Sequence, residues 1–369
     1  MAKKKHKNLH TTAGLSAKKR TFAHRSNGCQ HVATRQQSHT NMINRELIRL
    51  KVVQLTYAHY QNGDRMVDTA EKELFKSLAK AYDLYLLMLQ LVVELGRMAE
   101  RTYETAVSRA NRLGLSEMPS SRFVDNRFIT LLSNSEELQD AASAQKLSWT
   151  DDVDFVRRLY KRIQASDIYA KWMASADTPT FEAERDLWRR IYKNIIIADE
   201  ELEQVLEDKS IYWNDDRFII DTFVLKTINH IEPTMGRHQE LLPEYRDEDD
   251  REFARRLFRA SLLSADSYRN IIAQFLRGWD LSRVALMDLI VMQIAIAEML
   301  TFPQIPLQVT INEYVNIAKV YSTPRSGAYV NGMLDSIARA LIADGKLRKT
   351  LDTPARETPP SAETAATEA

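Results

Sequence analysis

The sequence predicts an almost all-α protein, and three observations carry that prediction. Only ten glycines and ten prolines occur in 369 residues, too few for a loop-rich β fold. Apolar residues recur at helical spacing: Val330, Met333, Leu334, Ile337, Ala338 and Leu341 stand at offsets of 0, 3, 4, 7, 8 and 11, one stripe of a helix. A chain of this length, 44% hydrophobic and 27% charged, can bury a substantial core.

The elements follow in order. Residues 1–41 carry nine cations (Lys3, Lys4, Lys5, Lys7, Lys18, Lys19, Arg20, Arg25 and Arg35) and no acid, so a chain of net charge +1 divides into +9 and −8. A stretch so basic and poor in apolar residues is expected to be disordered and can meet phosphates. A second reading starts translation at Met42 and makes these residues an extension. No apolar run follows them, which excludes a secretory signal. Cys29, the single cysteine, excludes an internal disulfide framework and makes a reducing cytoplasm the simpler compartment.

Residues 43–60 read as an amphipathic helix, with Ile43, Leu47, Leu50, Val53 or Gln54, and Tyr57 on its apolar side and Arg45, Arg49 and His59 elsewhere. Asn62-Gly63-Asp64 ends it. A long helical reach covers 66–113; its apolar run 84–95 is too short and too interrupted to span a membrane, so a buried helix is expected. Pro119-Ser120-Ser121 marks a joint. Helices are then expected over 123–147, 149–173, 177–206 and 214–231. Within and beyond this region the order apolar-x-Arg-Arg-apolar-aromatic occurs three times, at 155–160, 187–192 and 253–258. In a helix such a segment buries its aromatics and leaves its guanidinium groups outside. Asn126 and Asp215 are placed to cap the helices that follow them.

The acidic run Asp247-Glu248-Asp249-Asp250 precedes a helix over 253–276. Consecutive carboxylates suit a helix N-terminus better than a shared metal ion, so no metal is expected. Residues 282–300 are apolar on nearly all sides and are expected to form the central core helix. A helix over 307–321, with Thr310 and Glu313 spaced for reciprocal capping, meets the helix over 330–341 across the joint Ser322-Thr323-Pro324-Arg325-Ser326-Gly327. Beyond Arg348 a Thr-, Pro-, Ala- and Glu-rich tail is expected to be disordered.

No phosphate-cradling glycine loop, dinucleotide fingerprint, paired-cysteine motif or nucleophile elbow appears. His59, His230 and His238, the histidines outside the basic stretch, have no evident catalytic partner in the sequence. No catalytic residue and no cofactor is therefore expected, and binding is the expected activity. The joint offers the chemistry for it. Tyr321 and Tyr329 flank it, with Lys319, Arg325 and Arg339 close by, and aromatic faces stack on unpaired bases while cations meet phosphates. Packing is the other role open to tyrosines at helix ends.

Several strings resemble the NusB transcription antitermination family: V-x-I-N-E at Val309 to Glu313, A-K at Ala318 and Lys319, and V-N-G-x-L-D at Val330 to Asp335. Pro306, the W-D-L at Trp279 to Leu281 and the apolar helix ending at Glu298 are similar to what precedes that signature. Arg49 and Gln54-Leu55-Thr56-Tyr57 resemble the family's first helix. The resemblance covers about 43–60 and 250–342. It implies an all-α, NusB-like helical bundle with a large helical insertion: residues 1–41 a basic tail or extension, 42–60 the first helix, 61–249 the insertion, 250–345 the C-terminal bundle and 346–369 a tail.

By the same resemblance, the chain is expected to bind boxA-type RNA and ribosomal protein NusE in the RNA polymerase antitermination complex that sustains rRNA transcription. It is then cytoplasmic, and an organelle transit peptide is set aside. The RNA-binding residues implied are Arg45, Arg49, Lys51, Lys319, Tyr321, Arg325 and Tyr329; those implied for NusE are Tyr57, Asp288 and Glu298. Glu46 and Leu47 stand where the family's first helix commonly has arginines, and Leu289 and Gln293 replace arginines on the partner side. A second function stays open on that ground: a helical protein-interaction scaffold without a boxA role.

Overall fold

The computed structural model describes residues 43–347, apart from 64, 65, 214, 246, 277 and 279. Within them are fourteen α-helices and no β-strand. The basic stretch with Cys29 and Met42, the tail from Arg348, Asn214 and Trp279 lie outside the described residues.

Helix α1 (Arg45–Asn62) starts where the Asn44 side chain accepts from Leu47 N at 2.9 Å and stops at Gly63 in a left-handed turn, φ 64°. The sequence expectation of one apolar side fails here. Leu47 through Val53 are all buried, Arg49 and Lys51 included, because neighbouring helices surround α1. These are α2 (Val67–Leu113), α10 (Glu248–Leu263), α12 (Leu286–Thr301) and α13 (Leu307–Tyr321).

Helix α2 has 47 residues, about 70 Å at 1.5 Å per residue. One end packs on α1 and α10. Farther along it meets α3 (Arg127–Ser133), α4 (Glu136–Ala144), α5 (Val153–Gln164) and α9 (Arg217–His230). Residues 84–89 are buried, as expected of a core helix, while Leu113 at the far end is exposed. Two indoles fasten other segments to it: Trp149 Nε1 donates to Leu87 O at 2.9 Å and Trp213 Nε1 to Lys80 O at 2.6 Å. Between α5 and α9 the chain forms α6 (Asp167–Ala174), α7 (Phe181–Ile191) and α8 (Glu200–Lys209).

Four helices expected to be continuous are broken; the one expected over 253–276 divides at Ser264, whose side chain makes no capping bond, and the other three break at a side chain that caps the next piece. Ser135, Ser166 and Asp199 accept from the backbone N–H of Leu138, Tyr169 and Leu202; such residues offer the backbone an alternative to continuing the helix. In all three Arg-Arg segments the flanking apolar and aromatic residues are buried and the arginines are not. Asn126 caps α3 as expected. Asp215 does not cap α9; Asp216 occupies that position, without a capping bond.

The C-terminal bundle comprises α10, α11 (Ala265–Gln274), α12, α13 and α14 (Ser326–Ala343). Helix α12 is its axis, touching α1, α10, α11, α13 and α14, with residues 288–299 buried. The acidic run serves α10: Asp247 accepts from Asp250 N at 3.1 Å, and among the described residues no cluster of three His, Cys, Asp or Glu is placed to hold a metal. The expected Thr310–Glu313 capping pair is absent. Helix α13 begins at Leu307, behind Pro306, so Thr310 falls inside it and turns to the core. Among the described residues no helix is long and apolar enough to cross a membrane.

Candidate nucleic-acid interface

The first helix places its cations inward. Arg49, 4% exposed, donates from Nε and Nη2 at 2.8 Å each to the two oxygens of Glu298, which is fully buried. Thr310 Oγ1 and Tyr314 OH donate to the same carboxylate at 2.8 and 2.9 Å. Four hydrogen bonds thus tie α1, α12 and α13 at one point. Burial works against the Arg49 charge, but the bond to Glu298 and its charge hold the guanidinium above its ordinary pKa. This corrects two expectations: Arg49 cannot reach a phosphate and Glu298 cannot meet a partner while the bundle is closed.

Lys51 is sealed as well. Its Nζ stands 2.6 Å from Asp216 Oδ2 and donates to Tyr212 O at 3.3 Å; Lys51 is 2% exposed and Asp216 fully buried. Burial pushes the Asp216 carboxyl up to about 6, with Lys51 pulling it back. The segment that covers Lys51 lies between α8 and α9, and it also reaches Tyr321, whose OH donates to Asp215 O at 3.3 Å. Tyr321 is half-buried, and burial followed by the charges of Asp215 and Asp216 raises its pKa. Of the expected RNA contacts in α1, only Arg45 keeps an exposed part, 34% of its side chain. It pairs with Asp250 at 3.3 Å and lies 5.0 Å over the Phe253 ring.

The joint between α13 and α14 is open. Lys319, Arg325 and Tyr329 are exposed on either side of it. Gly327 sets their spacing: a Cβ there would stand 2.5 Å from Lys319 Cγ, so the absence of a side chain lets the lysine stem lie on the first turn of α14. Below the joint, Ser326 Oγ donates to Asp288 Oδ2 at 2.9 Å. Asp288 is 6% exposed, and its Oδ1 finds no hydrogen-bond partner among the described residues. Burial, then Asp288, raises the Tyr329 hydroxyl. Tyr57 is half-buried on α1.

A family model described as "NusB family" matches residues 220–339. The transcription antitermination protein NusB of Salinibacter ruber is 37% identical over 133 residues, covering 34% of this chain and 83% of its own length. The chain belongs to the NusB family. The NusB protein of Dictyoglomus thermophilum is 42% identical over 87 residues, 24% of this chain and 60% of that protein. A solved structure, T. maritima NusB, is similar at 30% identity over 43% of this chain and 95% of that one, with a TM-score of 0.26.

The NusB match runs from within α9 through α14, so it includes the open joint and Glu298 but not α1. Sequence reasoning missed Tyr212 and Asp216 as neighbours of the NusB surface. They are more than 160 positions from Lys51, and no periodicity reports a contact of that separation.

Proposed function

We propose that this chain is a transcription antitermination factor that holds boxA-type RNA together with ribosomal protein NusE, so that RNA polymerase continues through rRNA operons. Membership of the NusB family supports this reading, since the relatives are named transcription antitermination proteins. In this proposal Lys319 and Arg325 neutralise phosphates, Tyr329 stacks on a base, and Tyr321 and the exposed part of Arg45 border the strand. Tyr57 faces NusE, and Asp288, buried beneath the joint, borders that surface through Ser326, whose Oγ donates to its Oδ2. Arg49, Lys51 and Glu298 hold the bundle together instead. The activity is binding, with no bond made or broken.

The test is reconstitution. Purified protein, NusE and boxA RNA are mixed and analysed by size exclusion; a ternary complex is the expected result. The burial of Arg49 and Lys51 favours a second reading, a helical protein-interaction scaffold, and binding to neither NusE nor RNA decides for it.

A further inference from the structure

Three lysines from separate segments meet at a cavity of about 300 Å³ in the inserted region: Lys80 of α2, Lys146 in the turn after α4 and Lys209 at the end of α8. Ser148, Tyr212 and Trp213 are also in its wall, and no carboxylate lines it among the described residues. Two of the lysines are paired with carboxylates that are not among the lining residues. Lys80 is 2.7 Å from Asp83 and Lys209 is 2.5 Å from Asp152, with the Lys209 ammonium 5.4 Å over the Trp149 ring. Lys146 is exposed and has no ion-pair partner among the described residues. It is also the one non-glycine described residue with a left-handed backbone, φ 55°, a conformation that L side chains adopt at a cost.

The cavity adjoins the segment that seals Lys51. Tyr212 and Trp213 line it, and three residues on from Tyr212 the carbonyl of Asp215 accepts from Tyr321. At 3.8 Å per peptide unit, the two ends of that segment lie at most about 11 Å apart. Cations that converge on a concave site focus a positive potential there. Three ammonium groups set against two carboxylates leave one positive charge, which matches a phosphodiester and not the dianion of a phosphate monoester.

We propose that this cavity is a second phosphate site, holding a phosphodiester of the single-stranded RNA that reaches the α13–α14 joint. The RNA part of this proposal rests on the function proposed above. Lysines suit the task because a phosphate carried on a flexible strand needs point charges rather than a fixed fork.

The test uses the full chain with Lys146→Gly and Lys146→Glu. Glycine removes the ammonium and relaxes the left-handed backbone, so Lys146→Gly is expected to fold at least as stably as the unaltered protein. RNA affinity is read by fluorescence anisotropy across a salt series, and uptake of a dinucleotide diester by phosphorus NMR. Lys146→Gly is expected to weaken RNA binding roughly three- to tenfold at low salt and to lower the salt slope by about one, and Lys146→Glu to weaken it further. Unchanged RNA affinity and slope in both variants overturn the cavity as an RNA site. If the unaltered chain binds no RNA but takes up the dinucleotide in a Lys146-dependent way, the RNA reading falls and the phosphate site stands. If it takes up neither, both fall.

Discussion

The cations of α1 and those of the α13–α14 joint belong to the same bundle and meet opposite fates. Arg49 and Lys51 are enclosed, each against a carboxylate that is itself fully buried. Lys319 and Arg325 lie in the open. The difference is in what covers each helix. Helix α1 is surrounded by four helices, and Tyr212 and Asp216 close over its Lys51, whereas nothing among the described residues packs over the joint's cations. A cation enclosed with a partner contributes to folding and is withheld from a ligand, because exposing it strands the carboxylate left behind. An exposed cation contributes little to stability and stays available. Position in a family motif does not distinguish the two.

The largest expected effect breaks the enclosed side. Glu298→Ala removes the acceptor of four hydrogen bonds and leaves buried Arg49 with only the half-buried Glu313 carboxylate, 3.8 Å from its Nη1, at a cost of about 3–5 kcal/mol, read as a shift of the urea midpoint. A loss below about 1 kcal/mol would mean that Arg49 is not enclosed as described. Lys51→Met should cost less, since Asp216, already pushed up to about 6, can take a proton instead.

The pH dependence at Asp216 has a definite sign. Its folded value lies above the ordinary 3.8, so folding binds a proton between the two. Stability from this group therefore falls as pH rises from about 4 to about 6 and is level above that. The melting temperature of the unaltered chain relative to Asp216→Asn is expected to decline across that window; a flat difference contradicts the buried carboxyl.

On the open side, Lys319→Ala with Arg325→Ala is expected to lower the salt slope of RNA binding by about two while stability stays within about 0.5 kcal/mol. Calorimetry alongside the binding series checks both. The smallest effect is at Gly332, exposed inside α14 with nothing within 4 Å of where a Cβ would sit. Gly332→Ala should stabilise the protein by about 0.5–1 kcal/mol in thermal unfolding, by restricting the unfolded chain.

Much of this was legible in the residues. The stripe from Val330 to Leu341 and the three Arg-Arg segments place apolar residues on one side of a helix, and the long reach reads as a core helix over 84–95; the structure buries residues 84–89 and, apart from the half-buried Met333, the whole stripe. Breaks at Ser135, Ser166 and Asp199 were not legible, because hydrophobic period continues across a cap; only the side-chain bond to the backbone ends the helix. Lys319, Arg325 and Tyr329 could be read as exposed because they border a Pro-containing joint. Arg49, Lys51 and Glu298 were misread as surface groups, since a charged residue in a helix carries no local mark of burial.

By itself the sequence determined the all-α class, most of the helical stretches, the membership of the NusB family and the residue types at the joint. These follow from spacing, capping and turn chemistry, which act over a few positions. Only the tertiary structure decided which charges face water. Glu298 lies 249 positions from Arg49, and Asp216 reaches Lys51 from the start of α9. Such pairs form because desolvated charges must find opposite charges wherever packing brings them.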